Sequence, residues 1–168
     1  MDANELGALQ APLKERYQQD PGAAMVTLRV EGEIGEGIAC KVDTGHSLVE
    51  AGLHPATGGD GSQACSGDML LEALAACAGV TLRAVATAFG VEIRDGSKVV
   101  AEGDLDFRGT LGVAKDAPVG FKEIRLRFEV ESDADTATMN KLISVTERYC
   151  VVLQTLRACP AMVVSLNE

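Results

Sequence analysis

Hydrophobic residues in this chain change period several times, and each change marks a new element. From Met25 the period is two: Val26, Leu28 and Val30 are apolar between Thr27, Arg29 and Glu31, as expected for a strand with one buried face. After the glycine-rich stretch Gly32 to Gly37, Ile38, Cys40 and Val42 alternate with Ala39, Lys41 and Asp43, so the two runs predict a hairpin. A third strand is expected near Ser47 to Ala51, and Gly58-Gly59-Asp60-Gly61-Ser62 reads as a loop. From Ser66, a suitable N-cap, to Phe89, with Gly90 as its stop, the chain is apolar nearly all round a helix. Such a helix is expected to be central and covered on several sides.

The second half repeats the scheme. Val99, Ala101, Gly103, Leu105 and Phe107 alternate with Val100, Glu102, Asp104, Asp106 and Arg108, and Ile124, Leu126, Phe128 and Val130 alternate with Arg125, Arg127 and Glu129. Both read as long antiparallel strands with one wet face. Ser132 or Asp133 can cap a second helix whose stripe is Met139, Leu142, Ile143, Thr146 and Tyr149 or Cys150, continued by Leu153 and Leu156. Met162, Val163, Val164 and Leu166 suggest a closing strand. Ahead of all this, Pro12 suits the first helical position of an arm from Leu13 to Gln19, ended by Asp20-Pro21-Gly22. Strands grouped apart from helices predict an α+β fold. The organisation expected is one domain over 1–168, with 1–22 as a helical arm and 23–168 as the core.

Composition narrows the partners. A chain of 168 residues with 46% hydrophobic residues and dispersed charge is long enough for one real core. Twenty-five acidic against 15 basic residues give a net charge of -10, which opposes nucleic acid and anionic membrane surfaces as partners. The opening Met1-Asp2-Ala3-Asn4-Glu5 is not a signal segment, and the apolar stretch from Leu70 to Leu82 is broken by Glu72 and closed by Arg83. A soluble, cytoplasmic protein is expected.

Five cysteines, an odd number in a chain of this size, argue against a disulfide framework. Cys40 alternates with core positions, Cys65 precedes a helix start, and Cys159 before Pro160 marks a turn and is an alternative partner for Cys150. No close C-x-x-C or H-x-x-x-H spacing joins His46, His54, Cys65 and Cys77, so zinc is not indicated. Gly58 to Gly61 lacks the phosphate-loop pattern. Cys77 and Cys150 stand apart because both lie on apolar helical runs. Plain core packing and redox chemistry are both open to them.

Met69-Leu70-Leu71-Glu72-Ala73-Leu74-Ala75-Ala76-Cys77-Ala78-Gly79-Val80-Thr81-Leu82, with Glu147-Arg148-Tyr149-Cys150 downstream, resembles the OsmC/Ohr family of thiol-dependent peroxidases. The order of hairpin, cysteine helix, long strands and second cysteine helix agrees with it. The resemblance implies an intertwined homodimer whose antiparallel sheets wrap two central helices. It implies a peroxidatic Cys77 and a resolving Cys150, an organic hydroperoxide substrate, a dithiol or lipoylated-protein reductant, no cofactor and no metal, in an antioxidant, oxidative-stress role. The family commonly supplies an arginine from the first hairpin loop and a glutamate ten residues before the first cysteine. Here that loop reads Gly32-Glu33-Ile34-Gly35-Glu36-Gly37, and the glutamate position holds Gly67. Arg29, Arg16, Arg148 and, more weakly, Asp68 are the alternative groups for activating the Cys77 thiolate. The other function class is a non-catalytic dimer of the same fold that binds a hydrophobic or electrophilic small molecule at the subunit interface.

Overall fold

A computed structural model describes residues 3–34, 40–42 and 51–166. The first expected hairpin is present: Met25–Ile34 (β1) pairs antiparallel with Cys40–Val42 (β2), Ile34 opposite Cys40. Its loop at 35–39 and most of the expected third strand lie outside the described residues. Ala51–Gly52 (β3) pairs in parallel with Ala64–Cys65 (β4).

The two long strands follow as Lys98–Asp106 (β5) and Phe121–Glu129 (β6), in a sheet ordered β2-β1-β5-β6. Register separates an apolar face from one that carries most of the charges, with fully buried Val100 the exception on the charged side. Val99, Ala101, Gly103 and Leu105 stand opposite Phe128, Leu126, Ile124 and Phe121 on the core face. On the other face Arg125 forks onto Asp104 (2.5 and 3.0 Å), Thr27 donates to Asp104 (2.5 Å), and Arg127 reaches Glu129 (3.0 Å) and Glu102 (3.5 Å). Arg125 and Arg127 therefore belong to a cross-strand ion ladder on the wet face, and Arg125 holds the Asp104 carboxyl down to about 2. At Gly103 an added Cβ would lie 2.5 Å from the Phe121 ring and 3.4 Å from Leu71. Glycine is what lets the ring and the neighbouring helix close on the strand.

That neighbour is Ser66–Phe89 (α2). Leu71, Leu74, Ala75, Ala78, Gly79, Leu82 and Ala86 form its buried face, at the three- and four-residue spacing that aligns side chains on one stripe. Gly90 ends it in a left-handed conformation at φ 65. α2 packs on β1 and β5 on one side and on Thr136–Tyr149 (α4) and Val151–Ala158 (α5) on the other. Coverage is less complete than the sequence suggests: Met69, Leu70, Val80 and Phe89 remain 37–40% exposed.

Several boundaries differ from the sequence reading: Ser66 is the first residue of α2 and Cys65 its N-cap, β1 continues past Gly32 to Ile34, and the others have local reasons. Ala3–Gln19 (α1) runs straight through Pro12, with anchors on both sides of it: Gln10 donates to the Thr57 carbonyl (3.3 Å), and buried Tyr17 donates to that of Ala56 (2.8 Å). β5 stops at Asp106 because that carboxylate caps the one-turn helix Phe107–Thr110 (α3) and binds the Arg108 guanidinium; Phe107 and Arg108 are not strand residues. The second helix is capped by Asp135, which accepts from the Thr138 amide (2.7 Å), while the Ser132 hydroxyl donates to the Glu92 carbonyl. It is two helices, because Cys150 adopts extended angles (φ -71, ψ 104) between α4 and α5. Finally, the expected closing strand is unpaired. The chain leaves α5 through Cys159 at φ 29, and Met162, Val163, Val164 and Leu166 are 87–97% exposed.

Candidate functional site

Cys77 and Cys150 meet where α2 crosses the break between α4 and α5. Cys77 lies about three turns into α2, half-buried against the core. The Thr81 hydroxyl donates to its carbonyl (2.7 Å). Cys150 is fully buried, and its thiol lies within hydrogen-bonding reach of the Cys77 sulfur. No disulfide joins them: Cys65, Cys77, Cys150 and Cys159 are all free.

The break itself builds the site. Cys150 is the last residue tied to α4, its amide donating to the Thr146 carbonyl (2.9 Å), and the first tied to α5, its carbonyl accepting from the Gln154 amide (2.9 Å). Burial pushes its thiol up to about 11. The amides of Leu153 and Val152 pull the other way by favouring a thiolate, the neighbouring Cys77 adds to the rise, and burial wins. At neutral pH the Cys150 sulfur is protonated, while Cys77 is the more accessible of the two.

Beside the pair, β6, α4 and α5 enclose a cavity of about 470 Å³. Leu74, Ile124, Leu126, Phe128, Ile143 and Leu153 give it an apolar wall, with charged residues including Glu147 and Arg157 at its rim. Leu74 is one helical turn before Cys77, and the amide of Leu153 faces the Cys150 sulfur. Cys77 and Cys150 themselves are not among the lining residues.

The groups considered as thiolate activators are scattered. Arg148 stands over the Tyr149 ring, 5.5 Å from its centre, at the exposed end of α4. Arg16 is exposed in the last turn of α1. Arg29 pairs with Glu102 in the β1–β5 ladder, and its side chain is outside the described residues. Asp68 lies nine residues before Cys77, roughly 13 Å along the axis and on the opposite side of the helix. It shares a small cleft with His54, Cys65 and Glu72, where burial raises its carboxyl and His54 opposes the rise. His54 stacks on Phe107 at 4.8 Å and accepts the Ala56 amide at Nδ1. Among the described residues no set of three His, Cys, Asp or Glu side chains is arranged to hold a metal.

Sequence reasoning did not find Gln154, Glu147 and Arg157, which bridge the break. The signal was available as spacing: they lie at three residues before and four and seven after Cys150, positions that share a helix face.

Comparison with known proteins agrees with this architecture. Residues 59–165 match the model of a family described as OsmC-like protein. An OsmC-like hydroperoxide resistance protein from Jannaschia sp. CCS1 superposes with a TM-score of 0.58 at 19% identity, over 84% of this chain and 91% of that one. An OsmC-like protein from Mycoplasma pneumoniae superposes with a TM-score of 0.55 at 18% identity, over 79% and 85%. No curated protein matches the chain.

Proposed function

The chain belongs to the OsmC-like protein family, and on that premise we propose that it is a thiol-dependent peroxidase that reduces organic hydroperoxides through Cys77 and Cys150. One observation carries the reading: two cysteines far apart in sequence come near enough, at the break between α4 and α5, for Cys77 to raise the Cys150 thiol. Their unequal burial supports the order of roles. A peroxide reaches half-buried Cys77 before fully buried Cys150.

The chemistry then balances in two steps. The Cys77 thiolate attacks one peroxide oxygen, the O–O bond breaks, the alkoxide takes a proton and leaves as alcohol, and Cys77 becomes a sulfenic acid. The Cys150 sulfur attacks that sulfenic sulfur, hydroxide leaves with the Cys150 proton as water, and a disulfide forms. A dithiol, free or as a lipoylated protein, returns both thiols. No metal or organic cofactor enters. The reading includes a homodimer, supported by the exposed side chains of Met162, Val163, Val164 and Leu166 and by β6, which has a neighbour on one side only among the described residues; it places the protein in the cytoplasm.

The apolar cavity, together with Arg16 and Arg148 lying on exposed ends of their helices, favours a second reading, a dimer of the same fold that binds a hydrophobic or electrophilic small molecule without turnover. Hydroperoxide consumption with dithiothreitol separates the two. The peroxidase reading expects turnover by the wild type and its loss in Cys77→Ser; turnover that survives the substitution contradicts it.

A further inference from the structure

Cys150 is held in its extended conformation by more than its own backbone bonds. Across the break, Gln154 Nε2 donates to the Glu147 carbonyl (2.7 Å), and Arg157 pairs with the Glu147 carboxylate (3.0 Å). The Glu147 carbonyl belongs to the last turn of α4, where the break removes its helical partner, so the Gln154 amide supplies the missing donor. Three side chains thus tie the last turn of α4 to both turns of α5, with Cys150 at the pivot. Two of them, Glu147 and Arg157, also line the cavity between β6, α4 and α5.

We propose that Glu147, Gln154 and Arg157 form a positioning clamp that fixes the angle between α4 and α5, and with it the approach of the Cys150 sulfur to Cys77. This rests on the peroxidase reading and deepens it by assigning control of the second step to residues outside the thiol pair. Closing the disulfide brings the sulfurs to about 2.05 Å with a specific dihedral angle, so a small change in the interhelix angle is felt there. Attack of Cys77 on peroxide uses a sulfur on α2, which the clamp does not touch. The step controlled is Cys77–SOH plus Cys150–SH giving the disulfide and water. When it slows, a second peroxide oxidises the waiting sulfenic acid to sulfinic acid. Exposed ion pairs are individually weak, so the effect expected is a moderate kinetic one.

The test uses the full chain, reduced, as wild type, Gln154→Ala, Arg157→Ala and the charge-swapped pair Glu147→Arg with Arg157→Glu. Each is mixed with tert-butyl hydroperoxide, quenched over time, and analysed by mass spectrometry for free Cys77, the Cys77–Cys150 disulfide and Cys77 sulfinic acid. Loss of the Cys77 thiol should stay within about twofold of wild type in Gln154→Ala, whose residue is not among those lining the cavity, while disulfide closure slows by about three- to tenfold in both single variants and the sulfinic share rises. The charge swap should recover closure relative to Arg157→Ala. The ratio of disulfide to sulfinic acid counts only molecules whose Cys77 has reacted, so it is insensitive to a partly unfolded fraction. Unchanged closure and an unchanged ratio in both single variants overturn the clamp. If wild-type Cys77 does not react with peroxide, the peroxidase reading fails instead. The clamp is then read with diamide, which accepts two electrons and two protons as the same disulfide closes. Slower closure in the variants upholds it, and equal closure overturns it.

Discussion

Burial of the Cys150 thiol has a consequence for stability. Its folded value, about 11, lies above the ordinary thiol value of roughly 8.5. The folded state therefore holds a proton that the unfolded state has lost between those values, and stability falls as pH rises through that window. Thermal melts of the reduced protein from pH 8 to 11 should show this decline, and Cys150→Ala should flatten it; an identical slope in the variant would contradict the assignment. Cys77 and Cys150 stood out in the sequence by their helical settings, and the roles proposed for them come from the family resemblance. Their proximity was not legible, because it depends on where two helices cross. The activating group was least legible. A thiolate partner is chosen by three-dimensional proximity, and the arginines at 16, 29 and 148 are distributed over three separate elements.

At the scale of elements, period did most of the work, and it succeeded wherever one face is buried. The alternation along β5 and β6 became a core face as the pattern required, whereas α2, apolar nearly all round, buries one stripe and leaves Met69, Leu70, Val80 and Phe89 partly exposed. Boundaries set by individual hydrogen bonds were misread instead. Asp106 ends a strand by capping a turn, and Cys150 breaks a helix without any glycine or proline to announce it. Packing between α2 and the sheet gives a direct test. Leu74 is fully buried and Gly103 sits under the Phe121 ring. Leu74→Ala should cost about 2–5 kcal/mol in chemical denaturation. Gly103→Ala should also destabilise, because its methyl group meets the ring. Wild-type stability in both variants would mean that this layer is not packed as described.

The molecule as a whole leaves apolar surface that one chain does not cover. Met162, Val163, Val164 and Leu166 are almost fully exposed, and the outer edge of β6 lacks a neighbour among the described residues. Exposed strand edges and apolar segments of this kind are usually satisfied by another chain. This explains why a strand could be read from Met162 to Leu166 and yet be unpaired: the sequence records a β preference, whereas pairing needs a partner strand. Deletion of residues 160–168 should shift the protein from dimer toward monomer in sedimentation velocity. A deletion variant that remains fully dimeric at low micromolar concentration would place the interface elsewhere. The central claim is tested most directly by adding one equivalent of cumene hydroperoxide to the reduced protein, then mapping disulfides and quantifying the alcohol. The account predicts one Cys77–Cys150 disulfide for each cumyl alcohol released. Peroxide left unconsumed with both thiols intact, or alcohol released while Cys150 stays reduced and unlinked, would contradict it.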